Sequence, residues 1–269
     1  MDDRGARALI ELNNTFYREN ASSFSETRSA PWQGWKEVAR TFCRECLEGR
    51  AAGDPVRILD MACGNQRLAS FLESALPHRD IVYCGVDSCD AFPATASQAS
   101  RHMRRDYIQL DALQAALDGA QQRLERIAAH GNYDLSCCFG FMHHIPGFTL
   151  RLRILRSLIE LTKPGGLIAV SYWQFMRDPR LARKARETTA LAMRERLLPQ
   201  KAACALEDGD WLLGWQDSPR SLRYCHSFTD SEVDALISEL PVGLAAEICR
   251  FSADGKTGDL NRYIMLRRA

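Results

Sequence analysis

Apolar positions in this chain fall at helical spacing near the start, alternate in short runs through the middle, and end in a helix followed by two strands. Over residues 4–21, Leu9, Ile10, Leu12, Phe16 and Tyr17 lie on one helical stripe. Residues 35–47 repeat it with Val38, Ala39, Phe42 and Cys46, the period expected of amphipathic helices. Residues 22–34 mix turn formers with Phe24 and Trp32 and are too aromatic for a plain linker. Gly53-Asp54-Pro55 then breaks the helical pattern. Short β-branched or apolar runs recur at 57–61, 81–86, 107–110, 135–139 and 167–172, separated by amphipathic stretches at 68–75, 92–101, 113–129 and 148–161. Strands alternating with helices predict right-handed crossovers and a parallel sheet. Lys163-Pro164-Gly165-Gly166 predicts a sharp turn before the fifth strand.

Beyond Asp178 the alternation lapses. Segment 177–201 is helical in pattern and carries eight cations against three anions, a net of +5. A helix at 230–240, strands at 245–251 and 262–267, and a turn at 254–258 complete the chain, the last two strands reading as a hairpin.

The chain's 269 residues, 46% hydrophobic, suffice for one packed α/β domain with extensions. A net charge of +1 exerts no global pull on polyanions, so nucleic-acid binding would need a local basic face. No apolar run reaches the roughly 18 residues of a membrane span, and Met-Asp-Asp-Arg lacks a signal-peptide core, so a cytoplasmic, membrane-free protein is expected. The ten cysteines follow no secreted framework and read as reduced. Cys43-Arg44-Glu45-Cys46 is a lone pair inside a helical pattern, and no metal site is expected.

Candidate chemistry centres on residues 56–67, Val-Arg-Ile-Leu-Asp-Met-Ala-Cys-Gly-Asn-Gln-Arg, answered by Cys84-Gly85-Val86-Asp87. A strand ending in an acid, a tight turn, a helix start and a second strand ending in an acid describe a nucleoside-binding α/β unit. Ala62 and Gln66 stand where a fuller glycine pattern would place glycines, leaving Gly64 alone. A pyrophosphate must approach bare backbone, so a nucleoside ligand without one fits better. Asp87 can accept both ribose hydroxyls, and Asp111 lies where an acid could take an adenine amino group. Both could equally cap the helices that follow.

The order RILDMACGNQR, YCGVDS, QLDA, DLSCCFGFMHHI and LTKPGGLIAVSYW over residues 56–173 resembles the class I S-adenosylmethionine-dependent methyltransferases. That resemblance implies an α/β, doubly wound, Rossmann-like fold: a seven-stranded, mostly parallel sheet with its last strand pair antiparallel, preceded by an N-terminal helical extension. It implies S-adenosylmethionine as cofactor, held by Asp60, Ala62, Cys63, Gly64, Asp87, Ser88, Asp111, Ala112, Phe139 and Gly140. The expected organisation is a single domain, 1–269, comprising an N-terminal lid (1–52), a cofactor-binding core (53–174), a substrate-side insertion (175–228) and a C-terminal helix and hairpin (229–269).

Residues 12–17 (LNNTFY), 21–28 (ASSFSETR), Pro31-Trp32, Met142-His143-His144-Ile145, 209–215 (GDWLLGW) and 223–228 (RYCHSF) are similar to segments of the tRNA methyltransferases that esterify wobble carboxymethyluridine. This implies a modified tRNA base substituent as acceptor, with Phe16, Tyr17, Phe24, Arg28 and Trp32 folding over the cofactor and Arg28 pairing its carboxylate. tRNA phosphates would track segment 177–201. Trp173, Trp211, Trp215, Tyr224 and His226 would face the substrate, with rings available for stacking. His143 and His144 are candidates to orient or deprotonate the acceptor, although an ionised carboxylate needs no base. The alternatives are a small-molecule O- or N-methyltransferase, or a non-catalytic cofactor-binding partner. A small partner subunit is a further option.

Overall fold

The computed structural model describes residues 1–27, 30–51, 53–89, 101–119, 127, 132–216 and 218–269. Two helices lead. In α1 (Asp3–Glu26) the Asp2 carboxylate caps the first turn by accepting the Gly5 N–H. In α2 (Gly34–Phe42) Trp35, Val38, Ala39 and Phe42 are buried, and the helix continues as a π-helical turn through Cys43–Leu47.

The strands β1 (Val56–Met61), β2 (Ile81–Asp87), β3 (Met103–Gln109), β4 (Tyr133–Cys138), β5 (Thr162–Trp173), β8 (Ala245–Ala253) and β9 (Asn261–Arg268) form one sheet in the order β3-β2-β1-β4-β5-β9-β8. The first five pair in parallel, and β9 runs antiparallel to both β5 and β8. The expected fold class is the one observed.

Side chains alternate between two buried layers, as the two-residue period of a strand requires. Leu59 and Met61 of β1 join the layer that packs under α4 (Ala112–Leu117), α5 (Phe148–Leu161) and α8 (Asp230–Ser238). Val56 and Ile58 join the opposite layer with α2 and α3 (Arg67–Ala75). Both faces being covered explains why β1, β2 and β4 read as nearly continuous apolar runs.

Four differences from the sequence expectation have local causes. β3 begins at Met103 rather than 107, because an edge strand keeps its polar residues Arg104, Arg105 and Asp106 and so hides its pattern. The Lys163–Gly166 turn is absorbed into β5 as a register irregularity opposite Tyr133 and Leu135, with Gly165 at φ 75°. Residues 177–201 divide into α6 (Pro179–Arg194) and the start of α7 (Gln200–Ala205). β6 (Asp210–Trp215) and β7 (Ser218–His226) form a separate antiparallel pair. The helix expected at 92–101 and the second half of that at 113–129 fall almost wholly outside the described residues. No helix among the described residues is long and apolar enough to cross a membrane.

Candidate active site

The sheet order changes direction between β1 and β4, and a cleft opens at the C-terminal ends of these strands, where α/β sheets bind ligands. Asp60 near the end of β1, the turn Ala62 to Asn65, Asp87 and Ser88 after β2, Asp111 and Ala112 after β3, and Phe139 and Gly140 after β4 all line it. Tyr17 reaches it from α1. The described residues expected at the cofactor lie on one cavity, Trp32 included, with the exception of Phe16, which is buried with its ring edge-on to Tyr17 and Trp215; Arg28 and the side chain of Phe24 lie outside the described residues.

The turn keeps a left-handed shape despite its missing glycines: Ala62, Gly64 and Gln66 have φ of 60°, 52° and 58°. Ala and Gln hold this at a cost of about 1–2 kcal/mol each relative to a relaxed backbone. Gly85 is needed for a different reason, since a Cβ there would stand 2.8 Å from Cys63 Sγ.

Asp60 accepts a 2.5 Å hydrogen bond from the Tyr83 hydroxyl, and burial pushes its carboxyl up to about 7. Asp87 accepts Gly64 N–H at 2.8 Å on one oxygen and Cys89 N–H at 2.9 Å on the other. Burial raises its pKa against the pull of these backbone donors. Asp111 caps α4 through Gln114 N–H at 2.9 Å and also accepts the Asn14 amide at 2.9 Å. Capping and cavity lining thus coexist at Asp111.

The N-terminal elements supply the remaining wall. Asn65 donates to Ser25 Oγ at 3.0 Å. Trp32 covers Gly140, where a Cβ would stand 2.9 Å from its ring. Trp32 and Trp35 stack with centroids 5.7 Å apart, and the Arg67 guanidinium stands 5.3 and 5.2 Å from their rings. Asn14, Trp35 and Arg67 line the cleft without having been expected there. Two asparagines inside the apolar stripe of α1, and an arginine closing the strand-turn motif, were the available signals.

A 3₁₀ turn, Met142–His144, places both histidines in the interior. His144 Nδ1 lies 3.0 Å from the Tyr224 carbonyl and Nε2 lies 2.6 Å from the Tyr17 hydroxyl. A carbonyl accepts only, so Nδ1 carries the proton and Nε2 accepts from Tyr17. Donor atoms of His143, His144 and Cys225 lie within 4.8 Å of one another, but both ring nitrogens of His144 are already committed.

His143 and Trp32 also line a second cavity with Trp173 and Arg223; Trp32 is common to both cavities. Arg223 is 7% exposed, its guanidinium 5.4 Å from the ring centroids of both Phe16 and Trp215.

The other residues expected at the substrate are placed differently. Tyr224 and His226 are 0% and 2% exposed and cannot stack a base. Tyr224 donates to Asp210 at 2.7 Å and accepts from Arg151 at 3.1 Å. His226 bridges Asp210 at 2.7 Å and Glu232 at 2.9 Å. Their polar atoms are satisfied internally, which is why aromatic type alone misplaces them. Trp215 is half-buried, donating to Ser23 at 3.0 Å. Trp211 packs with the cluster around Phe175 and Leu213.

No curated protein sequence matches the chain significantly. Solved structures that share the fold include a methyltransferase from Methanosarcina mazei described as S-adenosylmethionine-dependent (15% identity, 79% of this chain and 92% of that one, TM-score 0.54). The N-methyltransferase NodS of Bradyrhizobium japonicum, solved with S-adenosylhomocysteine, is 12% identical over 96% of this chain and 98% of its own, TM-score 0.52. The sugar N-methyltransferase KedS8 of a Streptoalloteichus species is 12% identical over 92% of each chain, TM-score 0.53. At such identities the likeness concerns the fold alone. The family model described as a methyltransferase domain matches residues 32–233. Because that match spans well over half of the chain, the protein belongs to the methyltransferase-domain family.

Proposed function

We propose that this methyltransferase uses S-adenosylmethionine to methylate a carboxylate, carried on a modified base substituent of a tRNA. The observation that carries the reading is Arg223: a buried guanidinium on the wall of a cavity that shares Trp32 with the strand-end cleft. A fixed, aromatic-flanked guanidinium suits a planar anion.

The cleft suits the cofactor. Asp87 holds the ribose hydroxyls, Asp111 the adenine amino group, and Asp60 with the left-handed turn the amino-acid end. The N-terminal helices act as its lid. When bound, S-adenosylmethionine supplies an electrophilic methyl group on a sulfonium. The chain's part is alignment and exclusion of water. A carboxylate arrives ionised at neutral pH, so no residue has to remove a proton. His144 then orients Tyr17, and His143 packs 4.8 Å from Trp173 at the acceptor side.

The basic helix supports an RNA partner. Ala182, Ala185, Thr188 and Ala192 form the buried stripe of α6, while Arg180, Arg183 and Arg186 are exposed. Among the described residues Arg180, Arg186, Arg196 and Lys201 pair with no carboxylate. Leu181 and Ala185 pack in the cluster that includes Trp173 and Leu260, both on the second cavity, so this basic helix borders the acceptor side.

Incubation with labelled cofactor and, separately, tRNA and small-metabolite fractions tests the proposal. Label in tRNA, weakening steeply with added salt, is expected. Label confined to small metabolites would instead favour a free carboxylic acid in the same cavity.

A further inference from the structure

Methyl transfer to a carboxylate leaves one charge of the second cavity unused. Asp254, at the end of β8, lines that cavity together with Arg223, Trp32 and Trp173. Its backbone is left-handed, φ 68°, a conformation aspartate tolerates better than most residues.

Three neutral donors reach its carboxylate. Gly34 N–H lies 3.2 Å from Oδ1, while the Asn261 amide at 2.9 Å and the Tyr263 hydroxyl at 2.6 Å share Oδ2. Burial and the neighbouring carboxylate push the Tyr263 phenol far up, so it stays a donor. The surroundings are tightly built, since a Cβ on Gly34 would stand 2.3 Å from the Tyr263 ring. No cation among the described residues pairs with Asp254. An ionised carboxylate offers about four acceptor sites, and the three donors leave one, on Oδ1.

A carboxylate on a cavity wall with a site to spare selects for a hydrogen-bond donor and against another acceptor. We infer that Asp254 Oδ1 accepts one N–H of the methyl acceptor, the imide N–H where the acceptor is a pyrimidine base, with Trp32 and Trp173 as walls for the planar ring. Arg223 and Asp254 then read opposite features of one molecule, an anionic arm and a ring N–H. The site takes a cyclic imide bearing a carboxylate and rejects the same ring methylated on that nitrogen. The inference rests on the carboxylate-acceptor reading for the position of the reacting group.

The test uses the whole chain and two stem–loop RNAs, one bearing 5-carboxymethyluridine and the other its N3-methyl derivative. Methyl-ester formation is followed at RNA concentrations low enough to report kcat/KM. The wild type is expected to prefer the N3–H substrate by about tenfold or more, the worth of one charge-assisted hydrogen bond. In Asp254→Asn, whose amide presents a donor, that preference falls to under about threefold, while S-adenosylhomocysteine affinity by calorimetry stays at the wild-type value. Equal rates on the two RNAs in the wild type overturn the Asp254 assignment and leave the carboxylate reading standing. A variant that loses rate on both RNAs alike, keeping the wild-type ratio, marks Asp254 as structural and also overturns it. Methyl ester on neither RNA overturns the reading of a carboxylate carried on a tRNA base, and the inference with it.

Discussion

Aspartates serve opposite ends in two parts of this molecule. At the strand-end cleft, Asp87 and Asp111 accept backbone or amide donors yet remain on a cavity wall. In the β6–β7 insertion, Asp210 has no exposed side-chain surface and accepts from Tyr224, His226 and the Glu207 N–H, with Arg151 3.6 Å away. Glu232, on the far side of His226, would be raised by burial, but hydrogen bonds from His226 and Thr229 hold it down at about 2. The first set is anchored by donors that leave acceptor sites for a ligand. The second spends its sites on the protein, so it fixes the β6–β7 pair against the Met142–His144 turn and α8 rather than binding anything.

Removing the internal acid should therefore cost stability most. Asp210→Ala leaves the buried Arg151 with no carboxylate beside it among the described residues and removes one of the two acids that hold His226; it is expected to lower unfolding free energy by about 3–5 kcal/mol, read by urea denaturation.

Asp60 tests the cleft side by pH. Its carboxyl is raised from 3.8 to about 7 by burial. A raised acid holds its proton more tightly folded than unfolded, so its contribution is full below about pH 4 and is lost as pH rises through 7. Wild type should lose up to about 4 kcal/mol relative to Asp60→Asn between pH 4 and 8, measured as the difference of their denaturation curves.

Asp87→Ala should act on the ligand. An affinity loss for S-adenosylhomocysteine of about 10- to 100-fold is expected by calorimetry. The smallest effect on the fold belongs to the basic face: Arg180→Glu with Arg186→Glu should change stability by under about 0.5 kcal/mol, yet flatten the salt dependence of tRNA binding.

Much of the sheet is legible in the sequence because β1, β2, β4 and β5 are covered on both faces and read as apolar runs. β6 and β7 are not, since Trp211, Arg223 and His226 interrupt any simple alternation while pairing in a small sheet of their own. In the site, the strand-end acids are legible because fold geometry puts such positions together whatever lies between them. Asn14 and Arg67 converge on the cleft from α1 and from the start of α3, and only the tertiary structure brings them there. Tyr224 and His226 show the limit from the other direction. Their residue types suit stacking, but Asp210, Arg151 and Glu232, scattered from 151 to 232, decide that they are internal.

The central claim is that the methyl group is delivered to a carboxylate beside Arg223, and the bond formed is its most direct test. A methyl ester is cleaved by mild alkali, whereas an N-methyl group or methyl ether is not. Product labelled from S-adenosylmethionine should release its label as volatile methanol at mildly alkaline pH, and Arg223→Gln should form little such product. Label that stays with the acceptor through the same treatment would contradict the account.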